Sequence, residues 1–419
     1  MRYVYTIIVY LLLPFILLYF WRKNRKNPEA LKFWHERLGI RLRPVPQNGI
    51  WIVAVSVGES IAATPLIKEI QQRYPHIPIV VTGTTIGGAD RILANLGNRV
   101  TQLYSPYDLP VVLRKFFDTL KPRLLILMEK ELWPNLLAEC RKNNVPVVVA
   151  NARLSERSAR SYKRILSITR EMLSSTLVLA QTPADAERFI DLGVARDRVC
   201  ITGSIKFDLE LPVQLTERAK PLRETWGKNR LIWIAASTHE GEEEQILEAF
   251  IQVRKQLPNV LLVSIPRHIE RAACLQKLYQ RHAFQVSKHS ESRVYAGTTD
   301  IFIGDTMGEL FLFYAAADLA FVGGSLVKKG GQNLLEPAAV GLPILTGPFT
   351  FNFELITEQL KQRGIAIQVN NPEELAEQVI ALLSNPHQRQ KMADNAKIFV
   401  KENKGSLVKH VELIEPFLN

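Results

Sequence analysis

The sequence predicts an α/β chain of two doubly wound, Rossmann-like domains facing a cleft, preceded by a membrane-anchor helix. Three observations carry this. An uncharged apolar run fills residues 4–21, short apolar runs alternate with mixed, helix-like segments from residue 50 onward, and that alternation lapses once, between Asp208 and Lys228, before it restarts. Strands that alternate with helices build parallel sheets covered on both faces. A chain of 419 residues is long enough for two cores of ordinary size.

Taken in order, Val4–Trp21 is about as long as a bilayer core is thick. No small-residue cleavage site follows it. Instead come Arg22, Lys23, Arg25 and Lys26, which place that side in the cytoplasm by the positive-inside rule. Residues 1–27 therefore read as a membrane anchor and its basic flank, because the stretch lacks the polar face a helix of a soluble domain would show. Pro14 within it admits a second form, a segment that only dips into the membrane.

In the first domain, residues 28–208, strands are expected at Ile50–Val55, Ile77–Thr82, Leu124–Met128, Val145–Ala150, Leu177–Ala180 and Val199–Thr202. Residues 209–228 are polar, contain Pro212 and Pro221, and are expected to be a linker. The second domain, 229–403, carries strands at Leu231–Ala236, Val260–Ile265, Ile301–Gly304, Leu319–Val322, Pro343–Leu345 and Ile365–Val369. Helical stretches at Pro372–Ser384 and Pro386–Asn403 close it, and the tail 404–419 is expected to pack back on the first domain. This is the architecture of the GT-B glycosyltransferases and also of several sugar-nucleotide epimerases, which pattern alone does not separate.

The net charge of +12 belongs to the first half. Residues 1–208 hold 30 Lys and Arg against 17 Asp and Glu, whereas residues 209–419 hold 23 against 24. With no RNA-binding signature, zinc finger or continuous basic helix, nucleic acid is not the expected partner; an acidic membrane surface or acidic substrate is. Cys140, Cys200 and Cys274 are odd in number and far apart, so neither a disulfide framework nor a zinc site is implied.

Candidate chemistry gathers at strand ends. In Val55-Ser56-Val57-Gly58-Glu59, Gly58 lets the backbone turn after the strand and Glu59 lands at a helix entry. Ser56 and Glu59 also have capping-box spacing, so a structural and a catalytic carboxylate both fit. Pro65 should kink this helix or delay its start. After Leu124–Met128 comes Glu129-Lys130-Glu131-Leu132-Trp133-Pro134-Asn135, whose carboxylates and aromatic suit sugar recognition, or equally a core tryptophan beside a solvated loop. Arg153, Arg157, Arg160 and Arg164 fall at spacings of four, three and four, which would put them on one helical face. Phosphate matches the guanidinium fork; the alternative is a solvated basic face beside Glu156.

In the second domain, polar residues follow several strands: Ser237–Glu240, Pro266–His268, Asp305–Glu309, Gly323–Ser325 and Gly330–Glu336. Several such loops on one sheet edge describe a pocket. The glycine turn before Gln332 opens a helix whose N–H groups suit a phosphate, with Arg267 or His268 adding positive charge and Glu336 facing ribose hydroxyls. Taken singly, His239 or His268 also suits a structural role. The chain has no Asp-x-Asp, no Walker lysine loop and no Gly-x-Gly-x-x-Gly, which argues against metal-dependent transferases, P-loop enzymes and dinucleotide oxidoreductases. No metal or cofactor is expected.

With these motifs in view, the chain resembles the 3-deoxy-D-manno-octulosonic acid (Kdo) transferases of lipopolysaccharide synthesis. The matching stretches include SVGE at 56–59, SPYDLP at 105–110, ELWPN at 131–135, NARLSERS at 151–158 and GSIKFD at 203–208. They continue with STHEGEE at 237–243, PRH at 266–268, GDTMGEL at 304–310, FVGGSL at 321–326 and GGQNLLEPAA at 330–339. The chain departs from the family pattern at Val53, Lys130 and Phe349.

The resemblance implies a GT-B enzyme that moves Kdo from CMP-Kdo to a phosphorylated lipid A precursor at the cytoplasmic face of the inner membrane. It implies Glu59 as general base. It also implies a CMP site made by Arg267, His268, Met307, Gly308, Glu309, Asn333, Leu334, Leu335 and Glu336. On the acceptor side the expected residues are Ser56, Gly58, Glu129, Arg153, Arg157 and Arg160. A hexosyltransferase using a nucleotide diphosphate sugar, or a non-catalytic membrane-anchored scaffold, would fit the same architecture.

Overall fold

The structure, a computed structural model, describes residues 2–24, 34–40, 42–291 and 299–419. Arg25 and Lys26 of the expected basic flank, and the expected boundary at residue 27, lie outside the described residues. The chain divides into two compact units, Met1–Asp208 with Asn403–Asn419, and Leu209–Glu402.

The first unit is built on seven parallel strands: β1 (Ile50–Val53), β2 (Ile79–Gly83), β3 (Thr101–Tyr104), β4 (Leu124–Met128), β5 (Val147–Ala152), β6 (Thr176–Ala180) and β7 (Val199–Ile201). Their order is β3-β2-β1-β4-β5-β6-β7. The central strands are unbroken apolar runs, IWIV and LLILM, because helices cover the sheet on both faces. Trp51 on β1 is wholly buried, stacked on Phe116 at 5.8 Å, and its indole N–H is satisfied by the Thr82 hydroxyl at 2.9 Å.

The second unit repeats the plan with β8 (Ile232–Thr238), β9 (Leu261–Pro266), β10 (Val286–Lys288), β11 (Ile301–Ile303), β12 (Leu319–Val322), β13 (Ile344–Thr346) and β14 (Ala366–Gln368). Their order is β10-β11-β9-β8-β12-β13-β14. In each unit the strand order reverses direction once, between β1 and β4 and between β8 and β12. These are the topological switch points, where loops at the carboxyl ends of neighbouring strands part and leave a crevice.

Three expectations need correction. The segment 209–228, expected as a linker, carries the helix Leu215–Trp226, whose Leu215, Ala219, Leu222 and Trp226 are buried in the second unit's core. Its spacings of four, three and four form an apolar helical stripe, and Arg223 fastens it to Asp318 at 2.9 Å and to the Arg230 carbonyl at 2.7 Å. The strands β3 and β10 were not expected at all. Both are edge strands, where a sheet needs no apolar run on two faces, and their sequences TQLY and VSK are correspondingly polar. Finally, Pro65 does not delay the helix after β1, which starts at Val57 and runs through to Arg73.

Residues 403–419 belong to the first unit. Asp208 accepts from the backbone N–H groups of Gly405 and Leu407, both at 2.6 Å, and so caps the helix Ser406–Ile414. That helix puts Val411 and Ile414 into the core beneath β1 and β4. The helix Arg2–Asn24 is apolar on all sides, and its Arg2–Arg22 stretch is long and apolar enough to cross a membrane.

Candidate functional site

At the first unit's switch point, β1 delivers Glu59 and β4 delivers Glu129 and Glu131. Ser56 caps the helix Val57–Arg73, its hydroxyl accepting from the Glu59 N–H at 3.2 Å. The Glu59 carboxylate accepts from the Val55 N–H at 2.7 Å. Only 4% of Glu59 is exposed. Burial first, then the nearby Glu131 and Glu129 charges, outweigh these two hydrogen bonds and push its carboxyl up to about 8. A buried carboxylate with a proton affinity near neutrality is suited to taking or giving a proton. Gly58 leaves the turn above Ser56 open, with only the Ser56 hydroxyl within 4 Å of where a Cβ would stand.

Glu129 adopts a left-handed backbone, φ 59°, just past β4. Its side chain pairs with Lys206 at 2.9 Å and its carbonyl accepts from the Arg153 N–H at 3.3 Å. Such a conformation costs a non-glycine residue about 1 kcal/mol or more and is held by these surrounding bonds. Glu131 is raised above the usual carboxylate range by burial, and the Trp133 indole donates to it at 3.1 Å. Glu131 belongs to the acidic stretch expected from the sequence, whereas Lys206 does not stand out there. The Lys206 partner lies 77 residues away in the chain, a pairing that local spacing does not reveal.

The arginines are not one helical face. Ser155 caps the helix Glu156–Lys163, so Arg153 lies before its start and helical spacing does not reach it. Arg157 and Arg160 are on the helix and exposed; Arg164 is its last cap.

At the second unit's switch point the organiser is Glu242, which sequence spacing does not single out. Fully buried, it accepts from the N–H groups of His239 (3.2 Å), Gly324 (2.7 Å), Ser325 (3.0 Å) and Leu326 (2.9 Å). One carboxylate thus ties the loop after β8 to the loop after β12. Gly323 is required beside it, because a Cβ there would stand 2.8 Å from the Glu242 carboxylate and from the Thr238 Cα. The Gly-Gly after β12 was the available signal, but nothing local pairs it with a carboxylate 82 residues earlier.

Around this knot lie several of the expected residues. The Arg267 N–H donates to the Thr238 carbonyl at 2.9 Å, and the His268 ring stands 5.8 Å from that of His239. His239 is lowered by burial and then by its neighbours His268, Lys329, Arg267 and Arg271, which places basic side chains around this loop; Arg271 among them is paired with Glu243 at 2.7 Å. Gln332 contacts the His239 ring at 3.1 Å. Gly330 has φ 93°, and a Cβ there would meet Asn352 at 2.4 Å, so this turn needs its glycine. The Asn333 amide donates to Glu336 at 3.2 Å, and its carbonyl accepts from the Leu335 N–H at 3.1 Å.

Leu334 and Leu335 are core residues whose side chains cannot face a ligand, leaving only their backbone groups to do so. The following helix, Leu335–Val340, has six residues. On a separate loop, Met307 is 82% exposed, Gly308 has open space above it, and Glu309 pairs with His289 at 3.1 Å.

Known proteins are similar to this chain along its whole length. Residues 32–209 match the family model described as 3-deoxy-D-manno-octulosonic-acid transferase (kdotransferase), and residues 216–399 match the glycosyl transferases group 1. A 3-deoxy-D-manno-octulosonic acid transferase of Haemophilus influenzae is 39% identical over 421 residues, covering 100% of this chain and 99% of that protein. The Bordetella pertussis protein of the same description is 34% identical over 436 residues, with 100% and 99% covered. Among solved structures, a glycosyltransferase from Rickettsia africae is alike in fold, with a TM-score of 0.54 at 14% identity over 90% of this chain and 100% of that one. The chain belongs to the 3-deoxy-D-manno-octulosonic acid (Kdo) transferases, glycosyltransferases of lipopolysaccharide biosynthesis.

Proposed function

We propose that this Kdo transferase uses CMP-Kdo as donor and a phosphorylated lipid A precursor of the lipid IVA type as acceptor, by inverting displacement with Glu59 as general base. The observation that carries this is the environment of Glu59, buried at a switch point with its proton affinity near neutrality. Its carboxylate takes the proton of an acceptor sugar hydroxyl as that oxygen bonds to the Kdo anomeric carbon. The bond from that carbon to the CMP phosphate oxygen breaks on the opposite face, and CMP leaves with the electron pair.

The second unit is the donor side. Arg267 and His268 take up the phosphate's growing charge together with the backbone N–H groups of Asn333 and Leu334, and Glu336 accepts from the ribose hydroxyls. In this mechanism donation from these side chains and N–H groups takes the place of a metal. The first unit is the acceptor side: Ser56, Gly58 and Glu129 line the approach to the base, while Arg153, Arg157 and Arg160 meet the acceptor's phosphates. The apolar helix holds the enzyme to the inner membrane with both units on the cytoplasmic side.

Mass spectrometry of the product made from purified enzyme, CMP-Kdo and a tetraacylated precursor tests this. The acceptor should gain the mass of Kdo residues. Transfer from a uridine diphosphate sugar, or none from CMP-Kdo, would contradict it.

A further inference from the structure

The membrane attachment just proposed leaves open how the helix Arg2–Asn24 meets the bilayer, and its packing decides between two forms. Tyr5, Thr6, Val9, Leu13, Leu17 and Phe20 are half-buried at spacings of one helical face. The Thr6 hydroxyl donates to the Asn135 side chain at 2.9 Å, and the Tyr5 hydroxyl bonds to the buried Asp108 carboxylate. Val9, Leu13 and Leu17 pack on the first unit's core. At the other end the Arg37 guanidinium lies 5.9 Å over the Phe20 ring. The globular unit therefore grips this helix from residue 5 to residue 20, about 22 Å of its axis at ~1.5 Å per residue.

A helix standing across the bilayer with that grip would drag the globular unit through most of the hydrocarbon, with Asp108 near one leaflet surface and Arg37 near the other. The polar surface between them would cross the bilayer centre, where each charged group costs on the order of 2.5–3.5 kcal/mol. We propose instead that the helix lies in the plane of a single leaflet, strapped along the first unit and embedded by its outer face. That face is uncharged, with Val4, Ile8, Leu11, Phe15 and Leu18 exposed. A helix apolar on all sides is thus accounted for, one face against protein and the other against lipid. The excess of 30 basic over 17 acidic residues in this half of the chain suits an anionic leaflet.

The placement has a consequence for the acceptor. Asn135, gripped by Thr6, lies two residues beyond Trp133, which bonds Glu131 at the candidate site. An in-plane helix brings the leaflet surface alongside that loop, so a lipid-borne sugar reaches the first unit's carboxylates without leaving its bilayer.

The test is the depth of spin labels on Val4→Cys, Leu11→Cys and Leu18→Cys, three outer-face positions seven residues apart, each in a Cys200→Ser, Cys274→Ser background. The full chain is placed in vesicles of phosphatidylethanolamine with a minority of phosphatidylglycerol, and depth is read from relaxation by oxygen against a polar nickel complex. The three labels should lie at depths agreeing within about 5 Å, at the shallow acyl level of interfacial helices. A Leu18 or Val4 label about 10 Å shallower than Leu11, or a steady gradient from end to end, would overturn the in-plane helix while leaving membrane attachment intact. Three water-exposed labels would overturn both.

Discussion

Val55 donates its backbone N–H to the Glu59 carboxylate at 2.7 Å, folding that carboxylate back over the end of the strand that precedes it. Ser56 caps the same helix through the Glu59 N–H. The side chain is thus a partner in its helix start and, by burial beside Glu131 and Glu129, a carboxyl raised to about 8. A group of this kind is mostly protonated at pH 7 in the empty enzyme and gains its basic form as pH rises.

The first expectation follows from the neighbours of Glu59. The acid limb of kcat/KM for Kdo transfer should rise through about pH 8 in the wild type. Glu131→Gln removes a negative charge and lowers the Glu59 proton affinity, so the limb should move to lower pH by on the order of one unit. A pH–rate profile checks it; an unmoved limb would mean that Glu131 does not act on the base.

In the second unit, Glu242→Ala would leave the buried N–H groups of Gly324, Ser325 and Leu326 without their acceptor. Loss of about 3–5 kcal/mol of stability is expected, with weakened CMP binding. Gly323→Ala should weaken CMP binding too, because its Cβ displaces the same carboxylate. Urea unfolding and CMP titration would measure these effects, and normal CMP affinity in both variants would separate the knot from the donor site.

Arg157 and Arg160 are exposed on one short helix. Replacing both with alanine should raise the acceptor KM several-fold while changing that for CMP-Kdo little. Equal effects on the two substrates would remove the acceptor assignment. High salt should weaken acceptor binding in the wild type more than in the variant.

His410 fastens the last helix to the first unit. Its Nδ1 donates to the Ser406 carbonyl at 2.7 Å, leaving Nε2 to accept from the Asn151 N–H at 2.9 Å. Burial lowers it to about 4, below its unfolded value of about 6.5. Its contribution is therefore full above about pH 6.5 and is lost as pH falls toward 4, by about 3 kcal/mol in all. His410→Gln should flatten the decline of stability across that window in urea unfolding. Parallel curves for wild type and variant would show that the ring is charged in the folded state.

Much of the fold was legible because parallel strands covered on both faces must be apolar along their whole length, as IWIV and LLILM are. The edge strands β3 and β10 escaped notice for the converse reason. The 215–226 stripe was present in the sequence, but Pro212 and Pro221 hid it. At the sites, short-range features such as the Ser56 cap and the glycine turns were readable from spacing. The bonds that hold the sites in shape, Glu129 to Lys206 and Glu242 to Gly324, join residues 77 and 82 positions apart, and only the folded topology brings them together. Helical spacing misled at Arg153, because a serine cap begins the helix beyond it.

Glu59→Gln keeps the size of the side chain and removes its basicity. Single-turnover transfer from CMP-Kdo to the tetraacylated precursor, measured beside CMP affinity, tests the role of this residue most directly. Transfer should fall about 10²–10⁴-fold while CMP binds as in the wild type. Near-normal transfer by the variant would contradict Glu59 as the general base.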